Sequence, residues 1–313
     1  ESAYAGKSAG TGSVWPMVFH EFDPGHADLD IKSGDLASAD VYGMKVVSWY
    51  DSNAAKELPA LFGTSLLFDL ATGEPKALLN AGPITALRTG AAAAVGAKYL
   101  ARKNAKTLTI VGCGELCPYL AAAAIAAIPS LEAVYLTNPH RPKKAVERLA
   151  AVTEKTDALL KACDHARTAA INAAADAASA VGESDIVFTA TCAKTPVVKR
   201  AWVKLGTHLS CIGADLPGKQ EIESAVLAAA AVYGDDTAQC FAVGESELPH
   251  REGVLPALAG EIGEVILGEK AGRTSDAEIT VFDSTGIALQ DIASAAIILK
   301  GCEKHGLGTV CQI

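Results

Sequence analysis

From Lys106 onward, short apolar runs alternate with longer Ala-rich or amphipathic segments. The apolar runs have the length and the β-branched residues of buried strands, and most of the segments between them have helical character. Nearly continuous apolar strands that alternate with helices predict an α/β fold, with a parallel sheet covered on both faces. The predicted strands are "TLTIVG", "AVYLTN", "DIVFTAT", "THLSCIG" and "AAVYGDD", and "RTAAIN" is a weaker candidate.

The chain before and after this region has a different pattern. Residues 41–50 are predicted to form one strand, and residues 64–80 are predicted to form two strands joined by a "TGEP" turn. A helix is predicted to start near Pro83. After residue 260 the pattern predicts a helix, a strand and a long final helix. This last helix is too long and apolar for a loose tail, so we expect it to pack against residues 1–100.

Composition and charge narrow the class of protein. The 313 residues are 50% hydrophobic and 20% charged, enough for a sizeable core and for two domains. The net charge of −9 disfavours nucleic acid as a partner. The longest apolar runs, about ten residues, are shorter than the ~18 that a membrane span needs. Eight cysteines without a CxxC pair indicate a reducing compartment, so we expect a cytoplasmic protein. The seven histidines show no ligand spacing, and no metal is predicted.

A glycine-containing turn follows the first of the apolar strands. Residues 112–117, "GCGELC", fit G-x-G-x-x-[GA] with Cys in the third place. Such a turn lets the backbone approach a pyrophosphate, whose charge then lies at the helix N-terminus. With a strand before it and a helix after it, the motif favours a dinucleotide, contacted by Gly112, Gly114, Glu115 and Leu116. A tight turn without a ligand is the alternative.

The end of the next strand bears on the choice of cofactor. An NAD enzyme usually carries Asp or Glu there, whereas this chain has Thr137 and Asn138, followed by Arg141, Lys143 and Lys144. A carboxylate would repel a 2′-phosphate, but Asn with basic neighbours would accept one. We therefore expect NADP(H) in preference to NAD(H), and an ordinary solvated basic turn is the alternative.

Several separate segments, in order, resemble the ornithine cyclodeaminase/mu-crystallin family. They are "GMKVVSW", "ITALRTGAAAA", "IVGCG", "TATCAKTPVV", "GADLPGKQEI" and "GEKAGRTSDAEITVFDSTGIALQD". The resemblance implies a homodimer, with a Rossmann dinucleotide-binding domain (105–284) inserted into a substrate-binding and dimerisation domain (1–104 and 285–313). It also implies chemistry at the Cα of an amino acid, in which hydride is exchanged with nicotinamide through an imine.

Four residues of these segments are candidates for substrate binding and proton transfer. Lys45 lies within an apolar strand, where an ammonium is costly unless it meets an anion or loses its proton. Arg88, placed by the pattern in the first turn of a helix, opposes the dipole there unless it binds a carboxylate. The resemblance assigns Lys45 and Arg88 to the substrate and Asp215 to proton transfer at the nitrogen, with Lys219 as its ion-pair partner. A lysine reaching water, a surface salt bridge and a turn-capping carboxylate are the respective alternatives.

Other residues are candidates by the same resemblance. Thr89, Thr191, Ser284 and Gly286 are expected to contact the cofactor, although Ser284 or Thr285 could instead cap a helix. The chain departs from the family near its start, where His20 replaces an early arginine of the substrate clamp. Lys32 is expected to supply the missing charge as a single contact rather than a fork. The glycine turn also departs, with Leu-Cys-Pro where relatives usually have Gln-Ala-Arg.

Three functions follow from this interpretation. The first is an NAD(P)H-dependent reductase of a small imino acid or cyclic imine, reversible as an amino-acid dehydrogenase. The second is an ornithine-cyclodeaminase-like lyase, in which bound NAD+ takes a hydride and returns it. The third is a non-catalytic, crystallin-like NADPH-binding protein. The "TNPHR" turn favours the reductase, whereas the intact Lys45, Arg88 and Asp215 disfavour the binding protein.

Overall fold

The computed structural model describes residues 1–311, and the chain divides into two compact units. Unit 1 comprises Glu1–Arg88 together with the chain from Ile287 onward, and unit 2 comprises Thr89–Gly286. The strands are β1 (Gly12–Val14), β2 (Val18–Asp23), β3 (Ala27–Leu36), β4 (Val41–Tyr50), β5 (Leu61–Asp69), β6 (Pro75–Asn80), β7 (Thr107–Val111), β8 (Ala133–Thr137), β9 (Ala170–Ala173), β10 (Ile186–Thr189), β11 (His208–Cys211), β12 (Ala230–Gly234), β13 (Gly260–Glu261) and β14 (Ile279–Asp283).

The helices connect and cover these strands. None of those described within residues 1–311 is both long enough and apolar enough to cross a membrane. They are α1 (Ser2–Ser8), α2 (Ala81–Leu100), α3 (Cys117–Ala127), α4 (Pro142–Ala162), α5 (Ala177–Glu183), α6 (Ser224–Ala228), α7 (Thr237–Val243), α8 (Glu247–Arg251), α9 (Ile262–Ile266) and α10 (Ala288–His305).

Unit 1 is built on an antiparallel sheet with the order β1-β3-β4-β5-β6, to which β2 adds by pairing with β3. Residues alternate along β4, so that Val41, Gly43, Lys45 and Val47 are buried on one face. Helix α10 packs against β3, β4 and β5 on this face. The expectation that the final helix packs against the first part of the chain is therefore confirmed.

Unit 2 contains a parallel sheet with the order β13-β12-β14-β11-β10-β7-β8-β9. Its central strands are almost completely buried and rich in Val, Ile and Leu, as expected for strands covered on both faces. The predicted α/β fold class is confirmed. The weaker strand candidate "RTAAIN" overlaps β9, which forms an edge of the sheet.

Helix α2 begins earlier than predicted, which changes the position of Arg88 within it. It begins at Ala81 rather than near Pro83, and the Asn80 side chain accepts the Gly82 N–H at 3.0 Å. Arg88 therefore lies beyond the first turn, and the expected conflict with the helix dipole does not arise. The later residues Ala93, Ala97 and Ala101 pack in the core of unit 2, which is why the first boundary falls after Arg88 rather than after residue 104.

Candidate active-site residues in the two units

Unit 1 buries two lysines side by side on the sheet face that packs against α10. Lys32 of β3 and Lys45 of β4 are direct partners in the antiparallel register, so their side chains leave the sheet on the same face. Only 6% of Lys32 and 3% of Lys45 is exposed. The alternative in which Lys45 reaches water is therefore wrong. Like charges placed opposite each other in a sheet are destabilising, so this pair needs anions nearby.

Asp291, in the first turn of α10, is the anion that meets these cations. Its Oδ2 lies 3.1 Å from Lys45 Nζ, and its Oδ1 accepts a hydrogen bond of 3.1 Å from Arg88 Nε. Arg88 also donates through Nη1 to Gln290 Oε1 at 3.1 Å, and the Gln290 amide donates to the buried Tyr4 hydroxyl. Arg88 is thus part of a buried network rather than of a surface salt bridge.

The network shifts the ionisation of its members. Burial lowers the pKa of Lys45 to about 8; Asp291 opposes this shift, whereas Arg88 and Lys32 add to it. Burial on its own raises the pKa of Asp291, but Arg88 and then Lys45 outweigh it, so that this pKa lies below its usual range. The result is a charged carboxylate beside an amine that can lose its proton slightly above neutral pH.

Sequence reasoning did not select Asp291. The available signal was an acidic residue in the first turn of the final helix, within the segment "ALQD". An acid at that position is commonly explained by the helix dipole alone. Its exposure of 2% shows instead that Asp291 serves a buried partner.

In unit 2, the glycine turn joins β7 to α3 as predicted. Gly112 has a φ of +122°, and a Cβ there would fall 2.4 Å from the Ala190 carbonyl oxygen, so only glycine fits. Gly114 has open space instead, because no atom lies within 4 Å of the place that a Cβ would occupy. A tight bend followed by an uncrowded backbone at a helix N-terminus is the arrangement that accepts a phosphate. Glu115 is exposed and pairs with Arg148 at 2.9 Å, and Leu116 is half-buried.

The predicted basic turn follows β8. The Thr137 side chain is buried, and its carbonyl accepts the Gly112 N–H at 2.9 Å, so this residue supports the glycine turn through its backbone. Asn138 Oδ1 accepts the Arg141 N–H at 2.9 Å. Arg141 and Lys143 are exposed at the start of α4, whose first turn carries no acidic residue. Cations at a helix N-terminus oppose the dipole and favour an anionic ligand.

Asp215 follows β11, at the carboxyl edge of the parallel sheet, where α/β proteins form their sites. Lys219 Nζ lies 2.5 Å from its Oδ1, so the predicted ion pair is present. The Asp215 side chain is 47% exposed and accessible to a ligand. Thr191, after β10, donates its hydroxyl to Glu221 at 2.8 Å and is therefore anchored rather than free.

The remaining cofactor candidates are buried in unit 2. Asp235, which follows β12, accepts hydrogen bonds from the Gly286 N–H and the Thr285 hydroxyl, each at 2.8 Å, and from Ser284 Oγ at 3.4 Å. The alternative role of Ser284 or Thr285 as a helix cap is wrong, because α10 has Ile287 at its N-cap without a side-chain bond. Thr89 is buried within α2.

Residues 1–305 match the ornithine cyclodeaminase/mu-crystallin family, and the chain belongs to it. The chain is 35% identical to alanine dehydrogenase of Archaeoglobus fulgidus over 311 residues, covering 99% of this chain and 90% of that protein. It is 32% identical to iminosuccinate reductase of Paracoccus denitrificans, over 100% and 93% of the two chains.

A solved structure gives the same result for the fold. Thermococcus litoralis Δ1-pyrroline-2-carboxylate reductase, in complex with NADH and L-proline, aligns with a TM-score of 0.88 and 29% identity, covering 99% of this chain and 93% of that chain. The predicted family, fold class and enzyme class, an oxidoreductase of this family that acts on a C–N bond, are confirmed by these relationships.

Proposed function

We propose that this protein uses a nicotinamide dinucleotide to reduce a small imino acid or cyclic imine to the amino acid, reversibly. The observation that carries the proposal is the buried group of Lys32, Lys45 and Arg88 around Asp291 in unit 1. Imine reductases and an amino-acid dehydrogenase among its relatives, and L-proline in a related structure, support a small substrate of this chemistry.

The cationic group is suited to a carboxylate. Arg88, Lys45 and Lys32 all act on Asp291, and the charge of Asp30 also raises the pKa of Lys45. Several buried cations in one place favour the binding of an anion. The substrate carboxylate would be that anion, with Arg88 giving a planar fork and the lysines giving point contacts.

The cofactor is assigned to unit 2, where the residues fit it. Gly112 makes the bend, and the open space at Gly114 lets a pyrophosphate approach the backbone. The bound dinucleotide supplies or accepts the hydride. Asp215, held by Lys219, is accessible and transfers the proton at the substrate nitrogen, while Thr89, Thr191, Ser284 and Gly286 form part of the nicotinamide pocket.

Within this function, NADP(H) is the preferred cofactor, because the end of β8 carries no carboxylate and is followed by the exposed Arg141 and Lys143. Arg141→Ala is expected to weaken NADPH binding about tenfold and to leave NADH binding nearly unchanged, because only NADPH has a 2′-phosphate for Arg141 to contact. Titration of both nucleotides by calorimetry measures this difference. Tighter binding of NADH than of NADPH by the unaltered protein would contradict the preference.

The free cysteines and the exposed sheet face of unit 1 support two further parts of the proposal. Eight free cysteines agree with a reducing, cytoplasmic location. Apolar side chains on the open face of the unit 1 sheet support a homodimer, whose test is given in the Discussion.

The decisive assay follows NADPH or NADH absorbance with Δ1-pyrroline-2-carboxylate and other small imino acids. The proposal predicts steady consumption of the reduced cofactor, with Lys45→Met as a control of much lower activity. Formation of proline and ammonia from ornithine, without net cofactor consumption, would instead identify a cyclodeaminase. Nucleotide binding without turnover of any substrate would identify a binding protein.

A further inference from the structure

Glu221 is a completely buried carboxylate in unit 2 that accepts four hydrogen bonds from two separate loops. Its Oε1 accepts the Thr191 N–H at 2.6 Å and the Thr191 hydroxyl at 2.8 Å. Its Oε2 accepts the Thr189 hydroxyl at 2.6 Å and the Gly213 N–H at 2.8 Å. One side chain therefore ties the end of β10 to the end of β11.

The backbone around Glu221 is packed too closely to adjust. A Cβ on Gly213 would lie 2.2 Å from the Thr191 carbonyl oxygen and 2.6 Å from the Glu221 carboxyl group. A Cβ on Gly112 would lie 2.4 Å from the carbonyl oxygen of Ala190, the neighbour of Thr191. The loops after β7, β10 and β11 thus contact one another directly, and the Glu221 carboxylate fixes two of the three.

We propose that Glu221 is a positioning residue for the reaction: it holds Thr191 beside the glycine turn and fixes Gly213, from which the chain reaches Asp215. Its effect on turnover rests on the proposed function, whereas its effect on the two loops does not. The spacing of these loops sets the distance between the proposed nicotinamide pocket and the proton-transfer group. Displacements of about 1 Å in such a geometry cost up to ~100-fold in rate.

Glu221→Gln tests this role because it keeps the volume of the side chain while it removes the negative charge and changes the hydrogen bonding, and Glu245→Gln makes the same change of charge. Each carboxyl oxygen faces one backbone N–H, Thr191 on one side and Gly213 on the other. An N–H can only donate. In either orientation of the amide, its NH2 group therefore faces a backbone donor, and one of the two loops loses its anchor.

Glu245→Gln is the matched control. Glu245 is also completely buried, and its carboxylate accepts the backbone N–H groups of Glu221 and Ile222. Its Oε1 receives both donors, at 2.9 and 2.8 Å, and its Oε2 is a second acceptor for the Glu221 N–H at 3.0 Å. An amide oxygen in the Oε1 position therefore keeps a bond to each N–H, and the variant loses only the second acceptor of the Glu221 N–H. The same chemical change at the same depth should therefore preserve the backbone contacts.

Hydrogen exchange measured by mass spectrometry, together with steady-state kinetics, decides between the outcomes. In Glu221→Gln we expect faster amide exchange in residues 189–193 or 211–216, and a fall in kcat of about tenfold or more with a much smaller change in KM for the imino acid. In Glu245→Gln we expect protection of both segments and kcat close to those of the unaltered protein.

The inference is overturned if Glu221→Gln leaves both segments as protected as in the unaltered protein, or if the two variants lose protection and kcat equally. A third variant, Thr191→Val, removes the hydroxyl that donates to Glu221 and that accepts a long bond of 3.3 Å from the Ala193 N–H, but keeps the bond from the Thr191 N–H to Glu221. It should give a smaller change of the same kind. If the unaltered protein neither binds a nucleotide nor reduces an imine, the proposed function fails, while the exchange data still decide whether Glu221 holds the loops.

Discussion

Lys45 combines burial with a nearby carboxylate, and the balance between them determines when it is charged. Its pKa of about 8 means that the ammonium is present at neutral pH and is lost at mildly alkaline pH. We therefore expect kcat/KM for imino-acid reduction to fall above pH 8, approaching tenfold per pH unit, because kcat/KM reports ionisation of the free enzyme. Measurement of kcat/KM from pH 6 to 10 tests this.

The control for this prediction is Lys45→Met, which should give a low kcat/KM without the decline centred near pH 8. The same ionisation affects stability with a definite sign. The pKa in the folded protein lies below the ordinary value of 10.5, so the unfolded chain binds more protons between pH 8 and 10.5. The contribution of Lys45 to stability therefore rises with pH in that interval. A constant kcat/KM up to pH 10 would contradict the assignment of Lys45 to the substrate.

Asp291 neutralises part of a buried group of cations, so its removal should be costly. We expect Asp291→Asn to lower the free energy of unfolding by about 3 kcal/mol, since Lys45 and Arg88 would remain buried without their counter-charge. Urea unfolding measures the change. Glu132→Gln, which breaks an exposed ion pair with Lys106, should leave the unfolding curve almost unchanged. Equal effects of the two substitutions would show that Asp291 is not a structural counter-ion.

At the scale of elements, the turn between β7 and α3 contains one glycine that the fold requires and another that we expect nucleotide binding to require. Gly112→Ala is expected to lower the melting temperature markedly, because its φ of +122° and the Ala190 carbonyl leave no room for a methyl group. Gly114→Ala should leave the melting temperature nearly unchanged, because its surroundings are open, but should weaken nucleotide binding at least tenfold.

Thermal unfolding and calorimetric titration of both glycine variants provide the measurement. The contrast between them is the informative result, since each variant serves as the control for the other. Full nucleotide affinity in Gly114→Ala would mean that no phosphate approaches this backbone, and the assignment of the cofactor to the turn would be wrong.

The success of sequence reasoning varied from element to element for physical reasons. Strands of unit 2 such as β7 were predictable because their burial on both faces leaves a nearly continuous apolar run. Strand β3 was not predicted, because its buried positions include Lys32 and Gly34, which interrupt an apolar alternation. The start of α2 was placed too late because Asn80 contributes its bond from within the end of β6.

For the candidate site, the sequence indicated single residues but not the contacts between residues that are far apart along the chain. Lys45, Arg88, Asp215 and the glycine turn were selected from local patterns and family resemblance. Asp291, which contacts the first two, is separated from Arg88 by 203 residues along the chain. No local pattern links positions so far apart, and only the packing of α10 on the unit 1 sheet brings them together.

The face of the unit 1 sheet opposite α10 is the surface through which we expect two copies of the chain to associate. Phe62 pairs with Ser48, Leu78 with Leu66 and Val18 with Ile31, so the strand register places all three pairs on this face. Phe62, Leu78 and Val18 are 52, 72 and 54% exposed. Exposed apolar side chains that share one face of a sheet can mark an interaction surface. A closed two-fold dimer through this face would remove them from water.

We therefore expect the protein to sediment with the mass of two chains, and the double substitution Phe62→Glu and Leu78→Glu to shift it to the mass of one. Four glutamates would face one another across a two-fold interface and repel, whereas in the single chain they remain in water. Val146→Glu is the control, because Val146 is 63% exposed on α4 in unit 2 and lies outside this face. Circular dichroism establishes that each variant is folded. A dimer that persists in the double variant, or one that Val146→Glu dissociates, would place the interface elsewhere on the chain.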